Sequence, residues 1–409
     1  MSSTASKYLE PKDITELLTL GPMPAVKNPY PIYKKLRDEN HVFDNSKDNI
    51  EASVSGNPYS VFITRYDDIK NVLKDDITFS SAINNRTMGL VMGPTIVGMD
   101  GKEHMKHRNL VTPSMSTRAL KGVDFATVVR KIADHYIDKF VKNGKADLHD
   151  QFCFDFPITV FVSLLGLESV DVDKVHRWGQ DLCLVAFDPM KGIVASEALM
   201  NYLTPIIQDK RKNPSDDMIS TLVLSEVDGQ KLTDLEIVSF LRLLTLAGAE
   251  TTNHLIGTAF YVMLKDPALM ERVRNDRKLV PALMNECMRW EPPVSTVMRE
   301  ATCDTMIGGV PIKKDTAIVC QLGSANRDER RFKDPDVFDI DRPDNDPIPF
   351  GYGRHYCAGS HLAKLEAEIG INALLDRLKN LKVQPGVDFG VVGFSFRGPD
   401  HLPVTFTPA

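Results

Sequence analysis

The stretch FGYGRHYCAG, residues 350–359, places one cysteine among three glycines, a histidine and an arginine. A helical pattern follows directly in SHLAKLEAEIGINALL, where apolar residues recur at helical spacing. A core cysteine is usually surrounded by aliphatic side chains, whereas glycine and charge flank Cys357 in the sequence. We therefore take Cys357 as the first candidate for a functional residue.

The composition of the whole chain indicates in which redox state and in which cellular compartment this cysteine is expected. The 409 residues contain six cysteines without a C-x-x-C pair, and the N-terminus lacks the pattern of a secretory signal. Reduced thiols in a cytoplasmic protein are therefore expected, rather than disulfides. The net charge of −6 argues against non-specific nucleic-acid binding, and no apolar run is long enough for a membrane span.

The pattern along the chain predicts one mainly α domain, residues 1–409, with a minor β region. Neither a repeat nor a low-complexity linker interrupts it. We expect helices at 28–40 and 66–74 and strands at 41–43 and 59–63. We assign the β-rich part to about 28–80, 302–325 and 385–409, and the helical part to about 100–300 and 358–380.

Residues 235–264 are apolar almost all round, which predicts a buried helix about 45 Å long. Its centre reads AGAETT, residues 247–252, although glycine lowers helix stability and a buried acid needs a partner. One interpretation is a close helix crossing, with Glu250 beside a cation. The other is a helix opened beside a ligand, in which Thr251 donates to the carbonyl of Ala247.

Three interpretations of Cys357 follow from the residues alone. It could be a small buried hydrophobe, as many free cysteines are. It could bind zinc with His355 and His361, although structural zinc sites usually have more thiolates in paired spacing. It could instead be an axial ligand of haem iron, where glycines allow close approach and turn N–H groups point at the sulfur.

The order Phe350–Gly351–x–Gly353–x–His355–x–Cys357–Ala358–Gly359 resembles the cysteine-ligand loop of the cytochrome P450 haem-thiolate monooxygenases. The similarity spans the chain from NPYPIYKKLRDEN to the terminal LPVTF. It implies the cytochrome P450 fold, with haem b between the central helix and the cysteine loop and Cys357 as the iron ligand. The implied cofactor contacts are His104, Arg108, Ala247, Gly248, Arg299, Phe350, Gly351, His355, Cys357 and Gly359.

Glu286 and Arg289 resemble the E-x-x-R pair of this family, since residues three apart share a helix face. The resemblance implies a third partner, which we place on Arg342, and a structural rather than catalytic role. A lone pair of this spacing would otherwise be an ordinary surface ion pair.

Four cations match family positions that hold the haem propionates. His104 and Arg108 resemble the H-x-x-x-R pair, whose side chains point the same way on a helix. Arg299 and His355 match the positions for the other propionate. Taken singly, each would be a solvated surface cation.

The AGAETT segment resembles the oxygen-activating part of the family's central helix. The resemblance implies that Glu250 and Thr251 form an acid–alcohol pair that delivers protons during oxygen activation. A threonine hydroxyl can donate and accept at once, and a carboxylate can relay protons from solvent.

The resemblance also implies redox partners. The chain length is accounted for by the haem domain, so electrons are expected from a separate iron–sulfur ferredoxin with its NAD(P)H-dependent reductase. We expect a monomer whose ferredoxin docks on a basic patch despite the net negative charge. The candidate residues of this patch are Lys106, Arg108, Arg354 and Lys364.

The family's substrate-contacting regions are apolar here, which predicts hydroxylation or O-dealkylation of a small hydrophobic molecule. The candidate pocket residues are Leu90, Val97, Val185, Phe187, Leu243, Ala247, Val294, Val297 and Phe394. The C-terminal GFSFRGPDHLPV resembles members that act on small aromatics, including aryl ethers, while terpenoids and fatty acids stay open. Arg86 either anchors a substrate carboxylate or is a solvated loop residue.

Two other functions stay open at this point. A protein of this fold could be a peroxide-dependent or isomerase-type haem-thiolate enzyme, although such members often alter the Glu250–Thr251 segment. It could also be a non-catalytic haem sensor.

Overall fold

A computed structural model describes residues 8–19, 25–46, 55–115, 125–167, 172–183, 189–343 and 346–409. It confirms the predicted class, a mainly α fold with small β-sheets. The α-helices are α1 (Ile14–Thr19), α2 (Tyr30–Glu39), α3 (Tyr66–Lys74), α4 (Ile83–Arg86), α5 (Gly89–Met92), α6 (Gly101–Val111), α7 (Phe125–Asp138), α8 (Asp155–Leu164), α9 (Val172–Cys183), α10 (Pro189–Lys212), α11 (Met218–Leu224), α12 (Asp234–Lys265), α13 (Pro267–Asn275), α14 (Val280–Trp290), α15 (Leu322–Ala325) and α16 (Ser360–Arg377). A π-helical turn, His149–Cys153, precedes α8.

Most of the described strands lie before residue 81 or after residue 295, and three short ones lie between. They are β1 (Val42–Asp44), β2 (Tyr59–Ile63), β3 (Phe79–Ser80), β4 (Lys145–Asp147), β5 (Glu226–Val227), β6 (Gln230–Lys231), β7 (Thr296–Ala301), β8 (Thr305–Ile307), β9 (Val310–Ile312), β10 (Thr316–Gln321), β11 (Leu378–Val383), β12 (Val391–Gly393), β13 (Arg397–Pro399) and β14 (Pro403–Pro408). The largest sheet has the order β1-β2-β10-β7-β3, in which β2 and β10 are parallel. A second sheet has the order β11-β14-β4.

Several boundaries agree with the sequence pattern and others do not. β2 and α3 begin and end where the sequence predicted, whereas β1 lies one residue further along the chain. Five strands, β4, β5, β6, β7 and β11, lie outside the predicted β-rich ranges. β4 is three residues long and pairs with β14, more than 250 residues away in the chain. A strand this short carries too few residues for an alternating pattern, so long-range pairing decides it.

The central helix α12 extends over 32 residues, slightly beyond the predicted 235–264. A capping box starts it, because the Glu236 amide donates to the Thr233 hydroxyl and the Thr233 amide donates to the Glu236 carboxylate. The helix packs against α8, α10, α16 and β13, which explains why it is apolar on most sides. No helix in the described residues is long and apolar enough to cross a membrane.

Helix α16 crosses close to α12 and α8 at Gly370. A Cβ at this position would lie 2.9 Å from the Phe156 ring and 3.3 Å from Ile256. The absence of a side chain therefore allows the helix that follows the cysteine loop to pack directly on the central helix. This packing fixes the distance between Cys357 and the AGAETT segment.

Candidate active site

A cavity of about 980 Å³ lies between α12 and the cysteine loop. Cys357 and Gly359 line one wall, and Ala247, Gly248 and Thr251 line the opposite wall. Small-molecule sites in proteins span roughly 300–1,000 Å³, so this cavity is at the large end of that range. It has room for a flat cofactor together with a second molecule.

The loop before Cys357 is shaped by its glycines. Gly351 and Gly353 both have a φ of 73°, and a Cβ at Gly353 would meet the Leu73 carbonyl oxygen at 2.5 Å. Only glycine therefore fits at this second position without a rearrangement of the end of α3. The Cys357 amide donates to the Phe350 carbonyl at 3.0 Å, which closes the loop.

The electrostatic surroundings of Cys357 suit a thiolate ligand. Burial raises the pKa of the thiol, while the backbone N–H groups of Gly359 and Ser360 and the charge of Arg108 act to lower that pKa. The zinc interpretation finds no support, since no cluster of His, Cys, Asp or Glu in the described residues could hold a metal ion. His361 is exposed on α16.

The four predicted propionate partners collect at one end of the cavity. Arg108, Arg299 and His355 line it, and the His104 ring lies 4.1 Å from the His355 ring, centroid to centroid. Arg108 donates to the Tyr356 carbonyl at 2.7 Å and Arg299 to the Met298 carbonyl at 2.6 Å. Within the described residues neither guanidinium forms an ion pair with a carboxylate.

His104 is the buried polar group that most needs a ligand. Both of its ring nitrogens are buried without a hydrogen-bond partner in the described part of the chain. Burial, with the charges of His355 and Arg108, lowers the pKa of His104 to about 4. Unsatisfied buried groups are costly, so this end of the cavity is suited to anionic groups. The residues present therefore fit the two carboxylates of a haem.

The opposite wall carries the AGAETT segment, and α12 is continuous through it. The Thr251 hydroxyl donates to the Ala247 carbonyl at 2.8 Å, as in the opened-helix interpretation, but the helix itself is not opened. No atom lies within 4 Å of a Cβ added at Gly248 or at Gly359. Gly248 is therefore not at a close helix crossing. The two glycines leave both faces of the cavity open for a planar group.

Glu250 is held as a carboxylate by histidines. Its Oε1 lies 3.1 Å from Nε2 of His254, one turn further along α12. Burial alone would raise the pKa of Glu250, but the hydrogen bond from His254 and the charges of His254, His149 and His176 hold that pKa below its ordinary value. A cation beside Glu250 was part of the close-crossing interpretation, and that interpretation did not identify His254.

The sequence analysis did not identify a second buried acid beside the cavity. Glu366 on α16 is buried, lines the cavity and shares a hydrogen bond with Thr252. Burial raises the pKa of Glu366 well above its ordinary value, which favours the uncharged carboxyl. Its spacing of four residues from Leu362 and from Gly370 places it on the buried face of the helix, a signal that was available in the sequence.

The predicted pocket residues divide into three groups. Six of them line the cavity: Leu90, Val97, Leu243, Ala247, Val294 and Val297. Val185 and Phe187 lie outside the described residues. The prediction that Phe394 lines the pocket was wrong. Phe394 is not among the described residues that line the cavity, because its ring stacks on Phe62 in the core. Phe396, which bridges to Val294, takes its place.

Arg86 has a partner outside the cavity. Its guanidinium forms an ion pair with Glu300 and donates to the Ser55 carbonyl. The side chain is 43% exposed and is not among the described residues that line the cavity, so the solvated interpretation fits better than a substrate contact, and its charge joins α4 to β7.

The E-x-x-R residues form a buried network with the predicted third partner. Arg289 donates to both carboxylate oxygens of Glu286, at 2.8 and 2.7 Å, and Arg342 donates to the same carboxylate at 3.2 Å. The Arg289 guanidinium also donates to the carbonyls of Asn326 and Pro335. The network thus joins α14 to the segment that leads into the cysteine loop.

A glycine-shaped cysteine loop, a cavity with Arg108, Arg299 and His355 at one end and an acid–alcohol wall are together the features of a haem-thiolate protein. The cytochrome P450 family model matches residues 188–390. Pulcherriminic acid synthase of Bacillus subtilis (strain 168) is 33% identical over 400 residues, which cover 93% of this chain and 96% of the relative. Cytochrome P450 107B1 of Saccharopolyspora erythraea is 34% identical over 359 residues, 84% of this chain and 88% of the relative.

A solved structure supports the same assignment. The crystal structure of CYP109E1 from Bacillus megaterium, in complex with testosterone, matches with a TM-score of 0.82 and 29% identity. The match covers 92% of this chain and 99% of that one. The chain belongs to the cytochrome P450 family of haem-thiolate monooxygenases.

Proposed function

We propose that the protein is a monooxygenase that receives electrons from a separate iron–sulfur ferredoxin and its NAD(P)H-dependent reductase. It would hydroxylate or O-dealkylate a small hydrophobic molecule. The observation that carries this proposal is the position of Cys357 and the Glu250–Thr251 pair on opposite walls of one cavity. Haem b bound through Cys357 would supply a thiolate-ligated iron for oxygen activation. His104, Arg108, Arg299 and His355 would hold its propionates.

The chain's own contribution to the chemistry is the supply and placement of protons. The lowered pKa of Glu250 keeps this group as a carboxylate at neutral pH, so it can accept a proton from the solvent side. The Thr251 hydroxyl is anchored on the Ala247 carbonyl at the cavity surface and can pass a proton while it accepts another. The raised pKa of the buried Glu366 favours its uncharged form, which lessens the negative charge at this wall.

The described lining supports a neutral, hydrophobic substrate. Its charged side chains are at the propionate end or on the acid-bearing walls, and the remainder is mostly apolar with isolated polar groups such as Asn84 and Gln180. Leu90 and Ile193 line the cavity and are also exposed, which is the pattern of an apolar cavity mouth. The testosterone complex of CYP109E1 is a relative's example of a compact apolar ligand. Small aromatics, including aryl ethers, are our first candidates.

The ferredoxin would dock on the cysteine side. Arg354 there is exposed but lies 3.2 Å from Asp76, whereas Lys364 lies over the Phe350 ring beside the loop. Lys364→Glu should therefore slow ferredoxin-driven turnover more than Arg354→Glu, and an equal rate in both variants and the native protein would count against this face. We further propose a cytoplasmic monomer, since the cysteines at 153, 287, 303, 320 and 357 are all unpaired.

The test of the proposed function is Thr251→Ala. We expect unchanged substrate binding, with reducing equivalents diverted from product to peroxide, because proton delivery at the cavity wall is lost. Thr258→Ala is the matched control, since Thr258 is a buried threonine of the same helix that lies away from the described lining. Spectral titration with aromatic ethers, terpenes and fatty acids identifies the substrate class. Product from peroxide but not from reduced ferredoxin would overturn the proposal.

A further inference from the structure

Three histidines from separate elements surround Glu250 on the side away from the haem site. His254 is on α12, His149 begins the π-helical turn and His176 is on α9. All three act electrostatically on Glu250. In the roles proposed above these histidines only hold the pKa of Glu250 down, whereas a carboxyl group that delivers protons in each turnover must also be recharged from solvent.

A second, small cavity separates His176 from Glu250. Its volume is about 20 Å³, and it is lined by both of these side chains together with Gly179 and Thr245. A water molecule needs roughly 10–15 Å³ of such space and polar partners, and both conditions are met here. Glu250 lines this small cavity and the main cavity, so it connects the two.

His176 connects the small cavity to the protein surface. Its Nδ1 lies 3.5 Å from Oδ1 of Asp155, whose side chain is 39% exposed. The carboxylate can orient the ring and stabilise the imidazolium, as in other acid–histidine pairs. Solvent, Asp155, His176, one water site and Glu250 therefore form a continuous polar route through the wall.

The other two histidines lack such a route. Nδ1 of His254 is buried without a hydrogen-bond partner in the described residues, so this ring can hold Glu250 but cannot be recharged from outside. His149 reaches exposed Asp150 at 2.7 Å, but its contact with α12 is the Asn253 amide nitrogen at 3.5 Å. An amide NH₂ donates but does not accept, so it cannot relay a proton.

We propose that His176 takes up the protons consumed in turnover and passes them through one water molecule to Glu250. The inference rests on the proposed function of Glu250. In each cycle the imidazolium gives one proton to the water, and the water gives one to the Glu250 carboxylate. The neutral ring still carries its proton on Nδ1, which faces Asp155. It then turns so that the free nitrogen faces the Asp155 side and takes a proton from solvent, and one proton enters for each proton delivered. His176 is a positioning and relay residue rather than a catalytic one.

The experiment uses the haem-loaded protein with three variants. His176→Gln removes the titrating ring, and Gly179→Ala narrows the small cavity, because the added methyl would lie 3.0 Å from the Thr245 methyl. His149→Gln is the matched control, since it removes a histidine of similar charge effect that does not line the small cavity. Both test variants should lower product per NAD(P)H about tenfold or more and raise the solvent deuterium isotope effect. Losses no greater than in His149→Gln would overturn the proposal.

A second readout does not depend on turnover. In the ferrous carbonyl complex at a fixed pH, the NMR chemical shifts of the His176 ring should change in Glu250→Gln, because the facing negative charge is gone. Unchanged chemical shifts would show that the two groups are not coupled across the cavity. If Glu250→Gln itself stays fully coupled to product, the proposed function fails as well. If only His176→Gln keeps the native yield of product per NAD(P)H, proton uptake through His176 is refuted and the proposed function stands.

Discussion

Glu286→Gln tests how the fold holds the cysteine loop. The Glu286 carboxylate accepts from Arg289 and Arg342, and also from the Asp339 amide at 2.9 Å. Glutamine has the same length, but it brings no charge and replaces one acceptor oxygen by a donor NH₂ group. The substitution therefore leaves two buried guanidinium groups facing a neutral group, one end of which repels their N–H donors.

The expected cost follows from the burial of the network. The side chains of Glu286 and Arg289 are 5% and 2% exposed, so water cannot replace the lost partner. Removing one member of a buried ion pair typically costs about 3–5 kcal/mol. We expect a loss of this size in the free energy of unfolding, a large part of the roughly 5–15 kcal/mol that stabilises a typical domain.

The same network predicts an effect on the haem site. Arg289 and Arg342 also donate to the Val337 carbonyl, so the network fixes a segment that precedes the cysteine loop by about one dozen residues. In Glu286→Gln we expect a smaller fraction of the protein with the red-shifted Soret band of the ferrous carbonyl complex. That band reports thiolate ligation, and urea unfolding followed by circular dichroism gives the free energy.

Asp341→Asn is the matched control in the same segment. Asp341 accepts from Arg272 at 3.0 Å, with side chains 62% and 51% exposed. An exposed pair contributes about 0–1 kcal/mol, so this variant should be nearly neutral and keep the band. A Glu286→Gln protein as stable as Asp341→Asn would refute the argument, because burial would then not decide the cost.

Three further predictions concern the ligand, the substrate wall and the pH dependence of stability. Cys357→His should abolish the red-shifted Soret band of the ferrous carbonyl complex, and a retained band would rule out this residue as the thiolate ligand. Val297→Phe fills part of the cavity and should weaken spectral binding of bulky terpenes or steroids about tenfold, or 1.4 kcal/mol, with small aromatics less affected; equal losses for all ligands would contradict the assigned wall. Burial acts to raise the pKa of Asp217, but hydrogen bonds from Lys210, Ser215 and Ser220 hold it below the ordinary value. The ionised Asp217 therefore adds to the free energy of unfolding above about pH 4, and this contribution is lost as the pH falls through the lowered pKa. We expect Asp217→Asn to lower the free energy of unfolding by about 1–2 kcal/mol at pH 7 and by less towards pH 3. A loss of unfolding free energy in Asp217→Asn that does not change with pH would contradict this direction of the pH dependence.

The haem side was predictable because its chemistry depends on short sequence spacings. Three residues between His104 and Arg108, or two between Glu286 and Arg289, place side chains on one helix face whatever surrounds the helix. The cysteine loop is equally local, since its glycines and the amide of Cys357 shape it within ten residues. The third partner, Arg342, came from family resemblance, and the structure brings it to Glu286.

The substrate side was less predictable because an apolar residue suits a packed core and an apolar cavity wall equally well. Phe394 and Phe396 are both large and apolar, and only the pairing of Val294 with Phe396 decides which ring reaches the cavity. The sequence did not predict the histidines around Glu250 for another reason. His149 and His176 lie far from Glu250 in the chain, and the packing of their elements on α12 brings them together.

These two kinds of residue act on separate properties of the site. The side chains that shape the apolar wall touch the main cavity, whereas His149, His176 and His254 act on Glu250 from behind that wall. A change in His176 should therefore alter the coupling of electrons to product and leave ligand binding unchanged. A change at Val297 should alter binding and leave the ionisation of Glu250 unchanged. Because Glu250 borders both cavities, it is the point at which proton supply and substrate oxidation meet, and its charge state depends on residues that no substrate contacts.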